Sequence, residues 1–140
     1  MAGLLDALDG DPAVDAAVGD VALVRAMLDV EAALARAVAQ AGLVPVKAAE
    51  AVAAAATALE VDADDLGRRA VPAGNPVVPL VRDLAAAVPD DAQDALHRGA
   101  TSQDVLDTAL QLVARRAMEP LARHLVAAGD AAARLAAEHR

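Results

Sequence analysis

Apolar residues recur at a spacing of three and four along most of this 140-residue chain. Such spacing places them on one face of an α-helix, whereas a half-buried strand alternates apolar and polar residues. Between positions 21 and 41, one predicted helical face collects Val24, Met27, Leu28, Leu34 and Val38. No segment shows the alternating pattern, so the sequence predicts an all-α fold.

Capping and breaking residues divide this pattern into separate helices. Residues 1–19 hold one apolar turn followed by glycines and a proline, so we expect a partly irregular arm. Asp20 is a suitable N-cap for the helix that follows, and Gly42 is a suitable end. Pro45 fits the first turn of the next helix, and Asp62 can cap a short acidic one.

The segment "VPAGNPVVPL" (71–80) is the clearest loop, because prolines and a glycine interrupt it. A helix is expected to resume after Pro76 and to reach Val88. A short helix is predicted at 90–97, with Gly99 as its stop.

One long helix is predicted from Thr101 to the end of the chain, with a local kink at Pro120. Its apolar positions follow the helical spacing and are Leu106, Leu110, Val113, Ala117, Leu121, Leu125, Ala128, Ala132 and Leu135. Little other chain is left to cover so long an apolar face. The pattern therefore indicates partner helices, supplied by self-association or by further sequence.

Composition narrows the range of functions. The chain is 57% hydrophobic without any Phe, Trp or Tyr, so its core has to be built from Leu, Val, Ala and Met. A net charge of −9 and the lack of aromatic stacking groups argue against nucleic-acid binding. The sequence has no cysteine, no apolar run long enough to span a membrane and no basic signal-peptide flank. We therefore expect a cytoplasmic protein without disulfides.

The stretch "HRGATSQDVLDTAL" (97–110) groups a histidine, a glycine, hydroxyls and aspartates within an otherwise aliphatic chain. One interpretation is an ordinary helix start, because Thr101 and Asp104 have the spacing of a capping box. The other is an anion site, because helix N-terminal N–H groups and the hydroxyls of Thr101 and Ser102 can bind a carboxylate. His97 would then exchange a proton with the ligand, or else be a simple helix-end residue.

Other polar residues also allow a structural and a functional interpretation. The loop around Asn75 is either a rigid connector or a support that presents the Asn75 amide to a ligand. Arg82 and Arg98 could assist an anion, but solvated surface positions are the simpler interpretation. His124 and His139 have no partners at metal-binding spacing, so no metal site is predicted.

The run "HRGATSQDVLDTA" resembles the first signature region of the fumarase/aspartase superfamily, in which a histidine, a glycine and a Thr-Ser pair precede a long central helix. Two further segments are similar to the corresponding parts of the 3-carboxy-cis,cis-muconate cycloisomerase family. They are "RAMLDVEAALARAVAQAGLVP" (25–45) and "AGNPVVPLVRDL" (73–84). The resemblance covers nearly the whole chain, from about residue 10 onwards.

This resemblance implies a mostly helical, tetrameric enzyme in which each active site draws on several subunits. Superfamily members form or break a bond β to a carboxylate through a carbanion. The cycloisomerases interconvert 3-carboxy-cis,cis-muconate and a carboxymuconolactone in protocatechuate (β-ketoadipate) catabolism. The implied substrate is a small di- or tricarboxylate, with no metal or organic cofactor. The implied domains are an N-terminal helical domain, 1–100, and the start of a central helical bundle, 101–140.

Residue by residue, the resemblance assigns Thr101 and Ser102 to a substrate carboxylate. It places His97 beside that carboxylate and Asn75 in another substrate-contacting loop. The family's general acid and catalytic serine belong to two later motifs, a Thr-His pair and a Gly-Ser-Ser loop, and neither is in this sequence. No catalytic residue is therefore predicted, and we expect an N-terminal portion of a longer enzyme, without turnover of its own.

Two other functions fit the sequence. One is an adenylosuccinate lyase-type enzyme, although the equivalent loop of those enzymes usually carries a His-Asp pair in place of "AGNP". The other is a non-catalytic helical oligomerisation module in which the site residues are vestigial.

Overall fold

A computed structural model describes residues 10–139. This part of the chain consists of α-helices, two short 3₁₀ helices and the turns between them, and it contains no strand. The α-helices are α1 (Pro12–Val18), α2 (Asp20–Gln40), α3 (Val46–Ala58), α4 (Ala63–Ala70), α5 (Val77–Ala87) and α6 (Ser102–Glu138). The 3₁₀ helices are Val71–Ala73 and Asp90–Ala95. The predicted all-α fold is confirmed.

The N-terminal arm is more regular than the sequence predicts. The Asp11 carboxylate accepts from two N–H groups of the first turn of α1, at 2.8 and 2.9 Å, and Pro12 begins the helix with a suitable φ. The prediction of irregular structure is therefore wrong for 12–18, because this cap stabilises a helix despite the flanking glycines. The apolar turn predicted at 4–8 lies outside the described residues.

Caps and glycines bound the next helices largely as predicted. Gly42 has a left-handed φ of 73° just after α2, and Pro45 is the N-cap of α3. The Asp62 side chain caps α4 by accepting a first-turn N–H at 3.0 Å. One cap differs, since Gly19 precedes α2 and Asp20 is its first residue. The negative charge of Asp20 still stabilises the start of α2, because it interacts favourably with the positive end of the helix dipole.

The core lies where α2 packs on α3 and on α6, and its side chains are small and aliphatic. Alanines on these faces allow the helix backbones to approach closely, which compensates in packing for the missing aromatic rings. The fully or almost fully buried alanines are Ala26, Ala35, Ala49, Ala53, Ala56, Ala92, Ala95 and Ala109. The largest side chains buried with them are Met27, Leu28, Leu66, Leu80 and Leu84.

The 37 residues of α6 extend over about 55 Å and continue through Pro120 without a break. All buried residues of α6 lie in its first half, and they are Val105, Ala109, Val113 and Pro120. Most leucines of the predicted apolar stripe are instead 45–66% exposed, namely Leu110, Leu121, Leu125 and Leu135. In the first half of α6, the side chains of Val105, Ala109 and Val113 lie in the core. Leu106 and Leu112 are partly buried against it, and Leu110 is exposed.

Two polar contacts join α6 to the N-terminal helices. The Arg116 guanidinium donates to Asp29 of α2 at 2.7 Å, and His124 Nε2 lies 2.7 Å from Asp11, the cap of α1. The first turns of α6 also contribute to the core formed by the first hundred residues, through Val105, Ala109 and Val113. The division of the chain at residue 100 stays a prediction.

None of the helices within residues 10–139 is long and apolar enough to cross a membrane.

Candidate functional site

The predicted capping box is present at the start of α6. Thr101 is the N-cap, and its Oγ1 accepts from the Asp104 N–H at 3.2 Å. In return, Asp104 Oδ2 accepts from the Thr101 N–H and from the Thr101 hydroxyl, each at 2.8 Å. The Thr101 hydroxyl therefore serves the helix, and the capping interpretation of this pair is confirmed.

Ser102 is the first residue of α6, and it is partly buried. The side-chain hydrogen bonds described for this turn involve Thr101, Gln103, Asp104 and Thr108, and not the Ser102 hydroxyl. The two adjacent hydroxyls thus differ, because one is used by the cap and the other is in none of the side-chain hydrogen bonds described for residues 10–139.

The Asp104 carboxylate is held in its charged form. The N–H of Thr101, and next its hydroxyl, lower the pKa of Asp104 from the ordinary value of 3.8, and the charge of His97 lowers it further. A group whose pKa is lowered in the folded state stabilises the fold above its unfolded pKa. That contribution is lost as the pH falls through the folded pKa. The cap of α6 therefore weakens only in acid, below pH 3.8.

His97 lies outside the helix in which it was predicted. The 3₁₀ helix ends at Ala95, and His97 has a left-handed φ of 49°. Histidine tolerates this conformation better than branched residues do. The ring Nδ1 lies 2.6 Å from Oε1 of Glu31 in α2. The prediction of a helix through residue 97 is therefore wrong, and Gly99, with φ 82°, belongs to the turn that leads into α6.

The Asn75 side chain contacts the first residue of α5, the helix whose N-cap is Pro76. Its Oδ1 accepts from the Val77 N–H at 2.9 Å, and the preceding Gly74 has a left-handed φ of 63°. This local hydrogen bond fits the interpretation of the loop around Asn75 as a rigid connector. The Asn75 side-chain hydrogen bond described in residues 10–139 is this local one, and it does not join Asn75 to His97 or Ser102. A role for the Asn75 amide in ligand binding stays a prediction.

The other polar residues named from the sequence lie at the surface. Arg82 and Arg98 are exposed, and the Arg98 guanidinium contacts only the Asp94 carbonyl, at 3.4 Å, within the described chain. His124 pairs with Asp11, as described above. No group of three or more His, Asp or Glu side chains in residues 10–139 could hold a metal ion.

A groove of about 990 Å³ lies near the start of α2, and its lining includes Ala16, Asp20, Arg25, Asp62 and Arg116. None of the four predicted site residues lines it. The groove is therefore a separate feature from the start of α6.

A protein-family model described as lyase matches residues 12–140. The chain belongs to this lyase family. Over 99% of its length it is 43% identical to a nitrosuccinate lyase from Streptomyces davaonensis, of which it covers 30%. Over 97% of its length it is 41% identical to a 3-carboxy-cis,cis-muconate cycloisomerase from Pseudomonas putida, of which it covers 33%.

The solved structures support the same relationship. The crystal structure of a fumarate lyase from Mesorhizobium sp. matches this lyase-family chain with a TM-score of 0.85 at 32% identity. The match covers 92% of this chain and 30% of that one. The resemblance predicted from the motifs is confirmed. The chain spans about a third of the length of the relatives that it matches.

One polar residue of this lyase-family chain was not predicted from the sequence. Glu31 is 0% exposed, and it lies three residues after Leu28 and four before Ala35 on the buried face of α2. Its carboxylate contacts His97, which is 66 positions away in the sequence. A charged residue within an apolar helical stripe is the signal that could have found it, because an isolated buried charge is costly.

Proposed function

We propose that the start of α6 binds a carboxylate of a small di- or tricarboxylate substrate, through Ser102 and His97 and with Asn75 contributing from its loop. The observation that carries this proposal is the division between the hydroxyls: Thr101 caps the helix, and Ser102 does not. A long helix presents partial positive charge and N–H groups at its N-terminus, which favours an anion there. The Asp104 carboxylate already accepts from the N–H and the hydroxyl of Thr101, so the Ser102 hydroxyl is the one that we assign to the ligand.

In a protein of the relatives' length, we propose that this site serves the interconversion of 3-carboxy-cis,cis-muconate and a carboxymuconolactone. Support comes from the 41% identity to the Pseudomonas putida cycloisomerase over 97% of this chain. Loss of a proton next to the bound carboxylate spreads negative charge onto its oxygens, and donors at a helix N-terminus stabilise that charge. The lactone C–O bond β to the carboxylate then breaks. The proton transfers are assigned to motifs outside these residues, so we predict no turnover by the chain alone.

A second reaction is favoured by the 43% identity to a nitrosuccinate lyase over 99% of the chain. Nitrosuccinate is a dicarboxylate whose nitro group lies β to one carboxylate. Loss of a proton and of nitrite from it would use the same anion site as lactone opening. The two candidate reactions therefore differ in the leaving group and share the carboxylate that the start of α6 holds.

Carboxylate binding is testable on the chain itself. Titration with fumarate, followed through amide NMR signals, is expected to shift the first turn of α6. Ser102→Ala is expected to weaken binding about tenfold, which corresponds to one hydrogen bond. Thr108→Ala is the matched control, because Thr108 lies further along the same helix, where its hydroxyl donates to the Asp104 carbonyl. A first turn unmoved by fumarate, or equal affinities for both variants, would contradict the proposed site.

The reaction is tested in an enzyme of the relatives' length that includes this chain. Loss of muconate ultraviolet absorbance reports the cycloisomerase reaction, and nitrite release from nitrosuccinate reports the lyase reaction. We expect the first activity to exceed the second, and the reverse result would favour the lyase. The same assays on the 140-residue chain are expected to show neither activity, and turnover by that chain would overturn this expectation.

A further inference from the structure

Glu31 is a buried carboxylate that stability alone does not explain. Its side chain is 0% exposed on the face of α2 that packs into the core. Oε1 contacts Nδ1 of His97 at 2.6 Å, but no group within residues 10–139 donates to Oε2. A half-satisfied buried carboxylate costs folding free energy, and a well-packed apolar side chain of similar volume generally serves a core as well or better.

The partner of Glu31 is held in an unusual backbone conformation. His97 is the single non-glycine residue with a positive φ, 49°, in the described range. Such conformations cost free energy and persist where the surrounding structure holds them, often at functional sites. The His97 side chain is 22% exposed, so the ring contacts the buried Glu31 while part of it remains accessible to solvent.

The ring of His97 also lies close to the proposed carboxylate site. Only Arg98, Gly99 and Ala100 separate it from the N-cap of α6. Its charge contributes to the lowered pKa of Asp104 in the first turn of α6, which places the ring within electrostatic range of that turn. The buried contact is thus connected to the start of α6 through one histidine ring.

We propose that Glu31 is a positioning residue that accepts the Nδ1 proton of His97, fixes the tautomer of the ring and leaves Nε2 for a carboxylate ligand. A carboxylate that accepts from one ring nitrogen determines which protonation the other nitrogen has. When the carboxylate binds, Nε2 takes up a proton from solvent and donates it in a hydrogen bond to the ligand, while Glu31 balances the charge of the ring. Glu31 acts through His97 and touches no ligand itself. This proposal rests on the proposed carboxylate binding at the start of α6.

The first test measures the ring directly. The ¹⁵N chemical shifts of the imidazole nitrogens show which nitrogen carries the proton, and His124 and His139 give internal references in the same spectrum. In the unmodified chain we expect the proton of His97 on Nδ1. Glu31→Leu removes the acceptor but fills the same space, so we expect the proton to move toward Nε2 while the chain stays at least as stable to urea. Glu31→Gln keeps a weaker, neutral acceptor and is expected to give an intermediate shift. It is also the variant to use if Glu31→Leu does not fold.

The second test measures ligand binding with fumarate as the probe. We expect the dissociation constant to rise about tenfold in Glu31→Leu, because the ring loses the hydrogen bond that orients it and the carboxylate that balances its charge once Nε2 is protonated. It should rise less in Glu31→Gln, which keeps a neutral acceptor. Glu60→Leu is the matched control, since Glu60 is exposed, and it should change neither the tautomer nor the affinity.

The outcomes separate this inference from the proposed function. An unchanged His97 tautomer in both Glu31 variants would overturn the positioning role, and so would unchanged fumarate affinity in both. If fumarate does not bind the unmodified chain, the proposed carboxylate site fails. In that case, the ¹⁵N measurement of the His97 tautomer alone tests whether Glu31 positions the ring.

Discussion

The roles of the adjacent hydroxyls at the start of α6 follow from their backbone conformations. Thr101 is extended, with φ −95° and ψ 162°, so its side chain folds back over the first turn and completes the cap. Ser102 is already helical, and its hydroxyl is not part of that cap. A difference of one position therefore separates a structural residue from a proposed ligand-binding one.

The cap predicts a pH-dependent property of Asp104. Thr101→Val keeps the backbone N–H but removes the hydroxyl that donates to Asp104, so we expect the pKa of Asp104 to rise part of the way toward 3.8. The stabilisation from this carboxylate would then be lost at a higher pH during acidification. Carboxyl ¹³C titration measures the change, and Thr108→Val should leave the pKa unaltered. A pKa of Asp104 that does not move in Thr101→Val would show that the hydroxyl does not donate to this carboxylate.

Local residues were predictable from the sequence, and the distant contact was not. Thr101 and Asp104 are three positions apart, so their spacing alone predicts the cap. Glu31 and His97 are 66 positions apart, and they meet only because α2 packs against the turn before α6. His97 also has a left-handed φ of 49°, which the sequence pattern does not indicate, so the prediction of a helix through residue 97 was wrong.

Helix boundaries were also predictable from the sequence where a local cap decides them. Which face of a helix is buried was harder to predict. The buried positions Val105 and Ala109 are each one residue away from the predicted stripe positions Leu106 and Leu110. A shift of one residue rotates a helix face by about 100°, so the sequence pattern alone cannot show which of two apolar faces packs inward. The alanine-rich surface of the core makes that choice, since smaller side chains permit closer approach.

The close approach of α2 and α3 predicts a sharp contrast between neighbouring positions of α3. Ala53 is 2% exposed in the core, whereas Ala54 is exposed. Ala53→Leu is expected to destabilise the chain by about 1–3 kcal/mol, because the extra carbons overpack the interface. Ala54→Leu is expected to change stability by less than about 0.5 kcal/mol. Urea unfolding measures both, and similar values would mean that the helices are not closely packed at this point.

Over the whole molecule, the described residues form one core, from which the second half of α6 extends. Beyond Pro120, every residue of α6 except Ala131 is exposed. Its larger apolar side chains there are Leu121, Leu125, Val126 and Leu135. The lyase-family relatives are about three times longer than this chain, which spans 30–33% of two of them. The exposed face is therefore where we propose that further helices pack.

Self-association of the chain is the prediction that follows from this exposed face. We expect the molar mass from light scattering to rise with concentration at micromolar levels, because leucines 46–66% exposed gain from mutual burial. Leu125→Glu places a charge on the face shared with Leu121 and is expected to give a monomer with unchanged helix content by circular dichroism. Ala127→Glu adds the same charge two positions along α6, on nearly the opposite side of the helix from Leu125, so it should leave association intact. A monomer at all concentrations in the unmodified chain, or equal loss of association in both variants, would mean that this face does not bind a second copy.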